Sequence, residues 1–138
     1  MFAHQGNLCD ASDANPAAFT GPQFQDFDVA TVGLGFHHFD DPDLAAQRLA
    51  ARLRPGGVLF ILDFLVHGHD DPHNIPSAAA ATVMHHGFSE ERIKSVFEGA
   101  GVGGDFGLVE IGTITHGHGD AEGKKAVKRV FLARGTKL

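Results

Sequence analysis

Three kinds of signal are scarce in this sequence, and each absence excludes a class of protein. Cys9 is the only cysteine among 138 residues, so no disulfide can form within the chain. The longest apolar run, residues 58–62, is far too short to cross a bilayer. The first residues lack the basic and apolar regions of a secretory signal peptide. We therefore expect a cytoplasmic protein that does not bind a membrane.

Basic charge is also scarce, with 11 lysines and arginines against 17 aspartates and glutamates. The net charge of -6 argues against a nucleic-acid partner, because binding to phosphates needs a basic face. A small basic cluster near the end of the chain is interpreted as the solvated part of a terminal strand: Lys124, Lys125, Lys128 and Arg129. Since 43% of the residues are apolar and no repeat appears, residues 1–138 are expected to form a single domain.

The first half of the chain has the pattern of a strand, a helix and a second strand. Residues 28–32 are typical of a short buried strand, and Asp41 with Pro42 marks a helix start by capping and by a preset backbone angle. The Pro-Gly-Gly of residues 55–57 is predicted to stop that helix. Residues 58–62 follow at once and are apolar on both faces, as in a parallel strand covered on each side.

The second half predicts one more well-marked helix and two closing strands. Ser89 is the expected cap of this helix, and Gly101 is its expected end. Residues 106–111 and 126–133 are predicted to form an antiparallel pair, and residues 77–86 a short helix. The predicted fold class is therefore α/β, with a mostly parallel sheet that ends in an antiparallel strand pair.

Five segments, in this order, resemble one enzyme family. They are residues 27–30 (Phe-Asp-Val-Ala), 37–42 (His-His-Phe-Asp-Asp-Pro), 53–59 (Leu-Arg-Pro-Gly-Gly-Val-Leu), 86–91 (His-Gly-Phe-Ser-Glu-Glu) and 128–133 (Lys-Arg-Val-Phe-Leu-Ala). The ordered set is similar to the carboxyl-terminal part of class I S-adenosylmethionine-dependent methyltransferases, which have a Rossmann-like sheet. The resemblance implies methyl transfer from S-adenosylmethionine to a small-molecule acceptor.

Two elements of that family have no counterpart in this chain, which is therefore expected to be a partial methyltransferase-like domain. They are the Gly-rich loop after the first strand and the acidic residue that ends the second strand. The chain resembles the family from just before its third strand, so we expect residues 2–8 to lack their usual strand partners. The flank of strand 28–32 would then be an uncovered edge that favours self-association.

The resemblance also implies roles for individual residues at the carboxyl edge of the sheet. Asp10 matches the acidic residue that reaches the adenine amino group of the cofactor, and Gly35 and Asp63 are expected at the rim of the cofactor pocket. His37 and His38 follow the first predicted strand, where a neutral imidazole could act as general base toward the acceptor. Ordinary loop histidines remain the alternative interpretation of this pair.

Other interpretations of the sequence lead to different functions. Residues 33–35 (Gly-Leu-Gly) do not extend to a dinucleotide fingerprint, because His38 occupies the position of its third glycine. The His-rich segments 67–73 and 116–118 suggest a metal-binding module, although their spacing matches no closed structural site and no metal ligand is assigned. A non-catalytic fragment or partner subunit that retains the scaffold is a further alternative.

Overall fold

The computed structural model describes residues 1–13, 19–66, 85–116 and 126–138. Its strands are β1 (Phe27–Gly33), β2 (Leu53–Leu65), β3 (Gly104–His116) and β4 (Ala126–Thr136), and its helices are α1 (Pro42–Ala51) and α2 (Glu90–Gly99). The strands form one sheet in the order β1-β2-β4-β3. β1 and β2 are parallel, whereas β4 runs antiparallel to both β2 and β3. The α/β class and the closing antiparallel pair are confirmed, and the described sheet is mixed rather than mostly parallel.

Helix α1 starts as the sequence predicts but ends earlier. The Asp41 carboxylate accepts a hydrogen bond from the Leu44 backbone N–H at 2.9 Å, and Pro42 occupies the first turn. The helix ends at Ala51, before the Pro-Gly-Gly that was expected to stop it. Those residues instead form a bulge in β2, since Phe27 pairs with Leu53 whereas Val29, only two residues later, pairs with Val58.

Helix α2 has the predicted bounds. The Ser89 hydroxyl accepts a hydrogen bond from the Arg92 backbone N–H at 3.2 Å, and Gly101 just beyond the helix has a φ of +74°. The Arg92 guanidinium also donates to the Asp43 carboxylate, with one N–H···O distance of 3.0 Å. This ion pair joins the two helices.

The core lies between the two helices and one face of the sheet. Leu59 and Ile61 of β2 point to this face with Phe131 of β4, and all three are fully buried. The pairing register puts Val29 and Val109 on the opposite face, where they are 51% and 57% exposed. Within the described part of the chain, neither helix covers that second face.

The start of the chain and β1 agree with the sequence-based expectations. Residues 2–8 pair with no strand, and β1 pairs only with β2 within the described sheet. Leu8 is nevertheless attached to α1, because its carbonyl oxygen accepts a hydrogen bond from Arg48 Nη1 at 3.0 Å. The predicted short helix over residues 77–86 and the His-rich segments lie largely outside the described residues. No helix in the described ranges is long and apolar enough to cross a membrane.

Candidate functional site

The centre of the candidate site is a buried pair formed by Asp63 and His37. Asp63 lies near the carboxyl end of β2, and His37 lies in a short 3-10 turn, Phe36–His38, just beyond the carboxyl end of β1. Because β1 and β2 are parallel, both residues come to the same edge of the sheet. The Asp63 Oδ1 and His37 Nδ1 atoms are 2.7 Å apart, and Asp63 Oδ2 accepts the His37 backbone N–H at 3.0 Å.

This carboxylate fixes the proton on the imidazole. Asp63 is fully buried, and its Oδ1 also accepts the Phe64 backbone N–H at 2.7 Å. Since the carboxylate is an acceptor, the His37 proton is assigned to Nδ1, and Nε2 of the neutral ring carries the free lone pair. Burial lowers the pKa of His37, and the Asp63 carboxylate opposes that shift only in part. His37 is therefore neutral near neutral pH and can accept a proton at Nε2.

Aromatic rings hold the His37 imidazole in place. Its centroid lies 4.9 Å from that of Phe64 and 4.1 Å from that of His38. Phe36, the residue before His37, is fully buried and contacts the rings of Phe39 at 5.5 Å and Phe88 at 5.4 Å. The backbone of the turn is thus anchored in the core, while His38 is exposed at the surface.

A residue from the segment before α2 also contacts this turn. The His85 backbone N–H donates to the His37 carbonyl oxygen at 3.0 Å. Its ring lies 5.6 Å from that of Phe88, and its buried Nε2 has no hydrogen-bond partner among the residues that the structure describes. The sequence alone assigns His85 no role, because its contact with the turn depends on a bridge between Leu65 and Phe88.

Lys128 of β4 is a second residue whose contacts the sequence did not predict. Its ammonium nitrogen lies 4.6 Å above the centroid of the Phe64 ring, so Phe64 contacts both Lys128 and His37. Lys128 is half-buried, and burial lowers the pKa of its ammonium group, with the Asp63 charge opposing the shift. Lys128 thus lies on the terminal strand, as predicted, but its ammonium group packs over Phe64 and is half-buried rather than fully solvated.

Of the residues expected to contact the cofactor, Gly35 and Asp63 lie beside the His37 turn, and Asp10 lies in the segment before β1. Asp10 is exposed, and its Oδ1 accepts the Ser12 backbone N–H at 2.9 Å and the Ser12 hydroxyl at 2.6 Å; these hydrogen bonds lower the pKa of Asp10. Gly35 precedes the His37 turn, and an added Cβ there would meet only a backbone oxygen at 3.9 Å. The Asp63 carboxylate points to His37. The geometry therefore gives Asp63 a positioning role, and its contact with a cofactor stays a prediction.

Within the described ranges, no group of three or more His, Cys, Asp or Glu side chains is arranged to hold a metal ion. The residues from 67 to 73, which contributed most to the metal-binding alternative, are outside these ranges.

Comparison with known proteins points to one family. A family described as a methyltransferase domain matches residues 2–102. An uncharacterized methyltransferase of Schizosaccharomyces pombe is 28% identical over 82 residues, which are 57% of this chain and 29% of that protein.

Solved structures show the same fold. A Thermotoga maritima SAM-dependent methyltransferase superposes with a TM-score of 0.59 at 22% identity, over 83% of this chain and 57% of that one. An O-methyltransferase family protein from Burkholderia thailandensis gives 0.58 at 21% identity, over 97% of this chain and 35% of that one. The chain thus spans between 29% and 57% of the length of these proteins.

Proposed function

This chain belongs to the methyltransferase domain family, and we propose that it takes part in methyl transfer from S-adenosylmethionine to a small-molecule acceptor, with His37 as the general base. The observation that carries this proposal is the buried Asp63–His37 pair at the carboxyl edge of the sheet. Ligands of open α/β sheets bind at this edge. A histidine that is neutral, oriented by a carboxylate and close to the surface has the properties of a general base.

The residues present fit part of a cofactor site. Asp10 keeps an exposed carboxylate with a lowered pKa, which suits a hydrogen-bond acceptor for the adenine amino group. Gly35 leaves open space beside the end of β1, where a ligand could approach the backbone. When bound, the cofactor supplies a methyl group on a sulfonium that is a good leaving group, so the protein mainly aligns donor and acceptor.

The chain's own residues supply the proton chemistry. His37 Nε2 accepts the proton of the acceptor hydroxyl or amine as the new bond to the methyl carbon forms. Asp63 then stabilises the imidazolium, because it already accepts the Nδ1 proton at 2.7 Å. The exposed ring of His38, 4.1 Å from that of His37, lies where it can pass the proton on to water. In this proposal His37 is the base, and His38 passes the proton from His37 to water.

Two measurements on the 138-residue chain test this function. Titration calorimetry with S-adenosylhomocysteine, the product form of the cofactor, is expected to show micromolar binding that weakens in Asp10→Ala. His37→Gln is expected to keep that binding and to lower methyl transfer to an accepted substrate by about a hundredfold or more. Absence of binding would refute a cofactor site in this chain. Full activity of His37→Gln would refute the assignment of the base.

A second candidate function is that of a non-catalytic partner subunit. The sheet face with Val29 and Val109, which neither helix of the described part of the chain covers, favours it, because exposed apolar strands invite association. A concentration-dependent dimer in analytical ultracentrifugation, abolished by Val29→Lys, together with no binding of S-adenosylhomocysteine, is the result expected from this alternative.

A further inference from the structure

The position of Lys128 gives the candidate site a second functional group. Its ammonium group lies over one face of the Phe64 ring at 4.6 Å, and the His37 imidazole lies 4.9 Å from the same ring. The ammonium group and the imidazole are therefore separated by no more than the sum of these distances. Groups no farther apart than this lie within the length of one small molecule, and Lys128 and His37 also interact electrostatically.

Lys128 has no ion-pair partner among the described residues. Asp63 is the carboxylate that acts on it electrostatically, but the oxygens of Asp63 already accept three N–H groups from His37 and Phe64. Glu110, on the neighbouring strand β3, pairs with Arg129 instead. A half-buried ammonium group that pairs with no carboxylate in the described part of the chain is a suitable place for an anionic group of a ligand.

We propose that Lys128 binds an anionic group of the acceptor, most simply a carboxylate, while the nucleophilic hydroxyl or amine at the other end faces His37. This inference rests on the proposed function and specifies its substrate class as small anionic acceptors. In the reaction the acceptor's O–H or N–H proton goes to His37 Nε2. The bond from oxygen or nitrogen to the methyl carbon forms as the carbon–sulfur bond breaks, and the sulfide leaves with the electron pair of that bond.

The surroundings of Lys128 favour an anion over a neutral group. The ammonium group is compact and offers three N–H donors, and the apolar ring of Phe64 below it excludes water from one side. A charge-assisted hydrogen bond in such a place is stronger than a neutral one. A neutral acceptor would also have to displace water from the ammonium group, but the hydrogen bond that it forms in exchange would be weaker than that of an anion.

The test uses 4-hydroxybenzoate as the probe and 4-hydroxybenzamide as its neutral counterpart, with binding followed by NMR shifts of the His37 ring. We expect the benzoate to bind and the amide to bind at least about tenfold more weakly. Lys128→Met is expected to remove this preference, and Lys128→Arg to retain it. Lys94→Met is the matched control, because Lys94 lies on the exposed surface of α2 with Glu98 4.0 Å away.

Two results would overturn the inference: equal binding of the benzoate and the amide, or an unchanged preference in Lys128→Met. The test separates this inference from the proposed function because neither probe titration needs the cofactor. Charge-selective binding without any binding of S-adenosylhomocysteine would leave the anion site standing and remove the methyltransferase role. Binding of S-adenosylhomocysteine without any preference for the benzoate over the amide would remove the anion site and leave the methyltransferase role standing.

Discussion

Replacing Asp63 with asparagine is the sharpest perturbation of the site, because it exchanges one oxygen of a fully buried group for NH₂ and leaves its shape intact. The carboxylate accepts three N–H groups: Nδ1 of His37 and the backbone amides of His37 and Phe64. An amide has only one oxygen. In either orientation, its NH₂ group faces at least one of these donors and leaves it without an acceptor.

The expected cost follows from this count of donors. One buried N–H without an acceptor costs about 1–3 kcal/mol, which in a chain of this length lowers the melting temperature by roughly 3–10 °C. Asparagine also removes the negative charge that opposes the effect of burial on His37. We therefore expect the pKa of His37 to fall further below its usual range in Asp63→Asn.

Thermal unfolding by circular dichroism and an NMR titration of the His37 ring measure the two effects separately. Asp28→Asn is the matched control, since Asp28 is exposed and pairs with Arg54 at 2.6 Å on the surface. That substitution should change stability by less than about 1 kcal/mol and leave the pKa of His37 unaltered. If Asp63→Asn melted like the wild type and its His37 titrated at the same pH, the role given to Asp63 would be wrong.

Three further predictions concern pH, a cap and a close contact. Burial lowers the pKa of His37 in the folded state, so the stability linked to this residue is present above the unfolded value of about 6.5 and is lost as the pH falls below that value through the lower folded pKa. Melting temperatures measured from neutral pH down through this range should therefore vary less in His37→Gln than in the wild type. Ser89→Ala removes the acceptor of the Arg92 backbone N–H and should lower the free energy of unfolding by about 1 kcal/mol in urea titrations, whereas Ser95→Ala on the exposed side of α2 should not. Gly57→Ala would place a Cβ 2.9 Å from two backbone oxygens in the β2 bulge, so a loss of about 1–3 kcal/mol is expected, and an unchanged urea midpoint would contradict that packing.

Local patterns predicted the helices well because their signals are contained within a few residues. Asp41 and Ser89 act as caps in the structure as their positions predict. The strands β3 and β4 extend beyond the predicted ranges, since pairing with a neighbour along the full length decides where a strand ends. The Pro-Gly-Gly segment was misinterpreted for a similar reason. It became a bulge because the register of β2 against β1 has to absorb extra residues.

The candidate site was only partly predictable from the sequence. His37 and Asp63 were each selected because they follow a predicted strand, and the rule that parallel strands end at one edge could have placed them together. Their 2.7 Å contact depends on the register that pairs Gly33 with Leu62, which no local pattern fixes. The contact of Lys128 with Phe64 was not predicted because it depends on β4 lying next to β2, a pairing between segments far apart in sequence.

The Asp63 carboxylate is better explained by the chemistry of the site than by the stability of the sheet. Moving a carboxylate out of water is expensive, and an apolar side chain of similar size at a buried strand position is often neutral or stabilising by comparison. The hydrogen bonds of Asp63 all go to His37 and to the adjacent Phe64 backbone, so they hold one imidazole in one tautomer and also join the turn after β1 to β2. Under the proposed function, this arrangement leaves Nε2 of His37 as the atom that accepts a proton. A buried acid that orients a histidine beside a half-buried lysine at the carboxyl edge of a sheet is therefore the feature on which the proposed catalytic role rests.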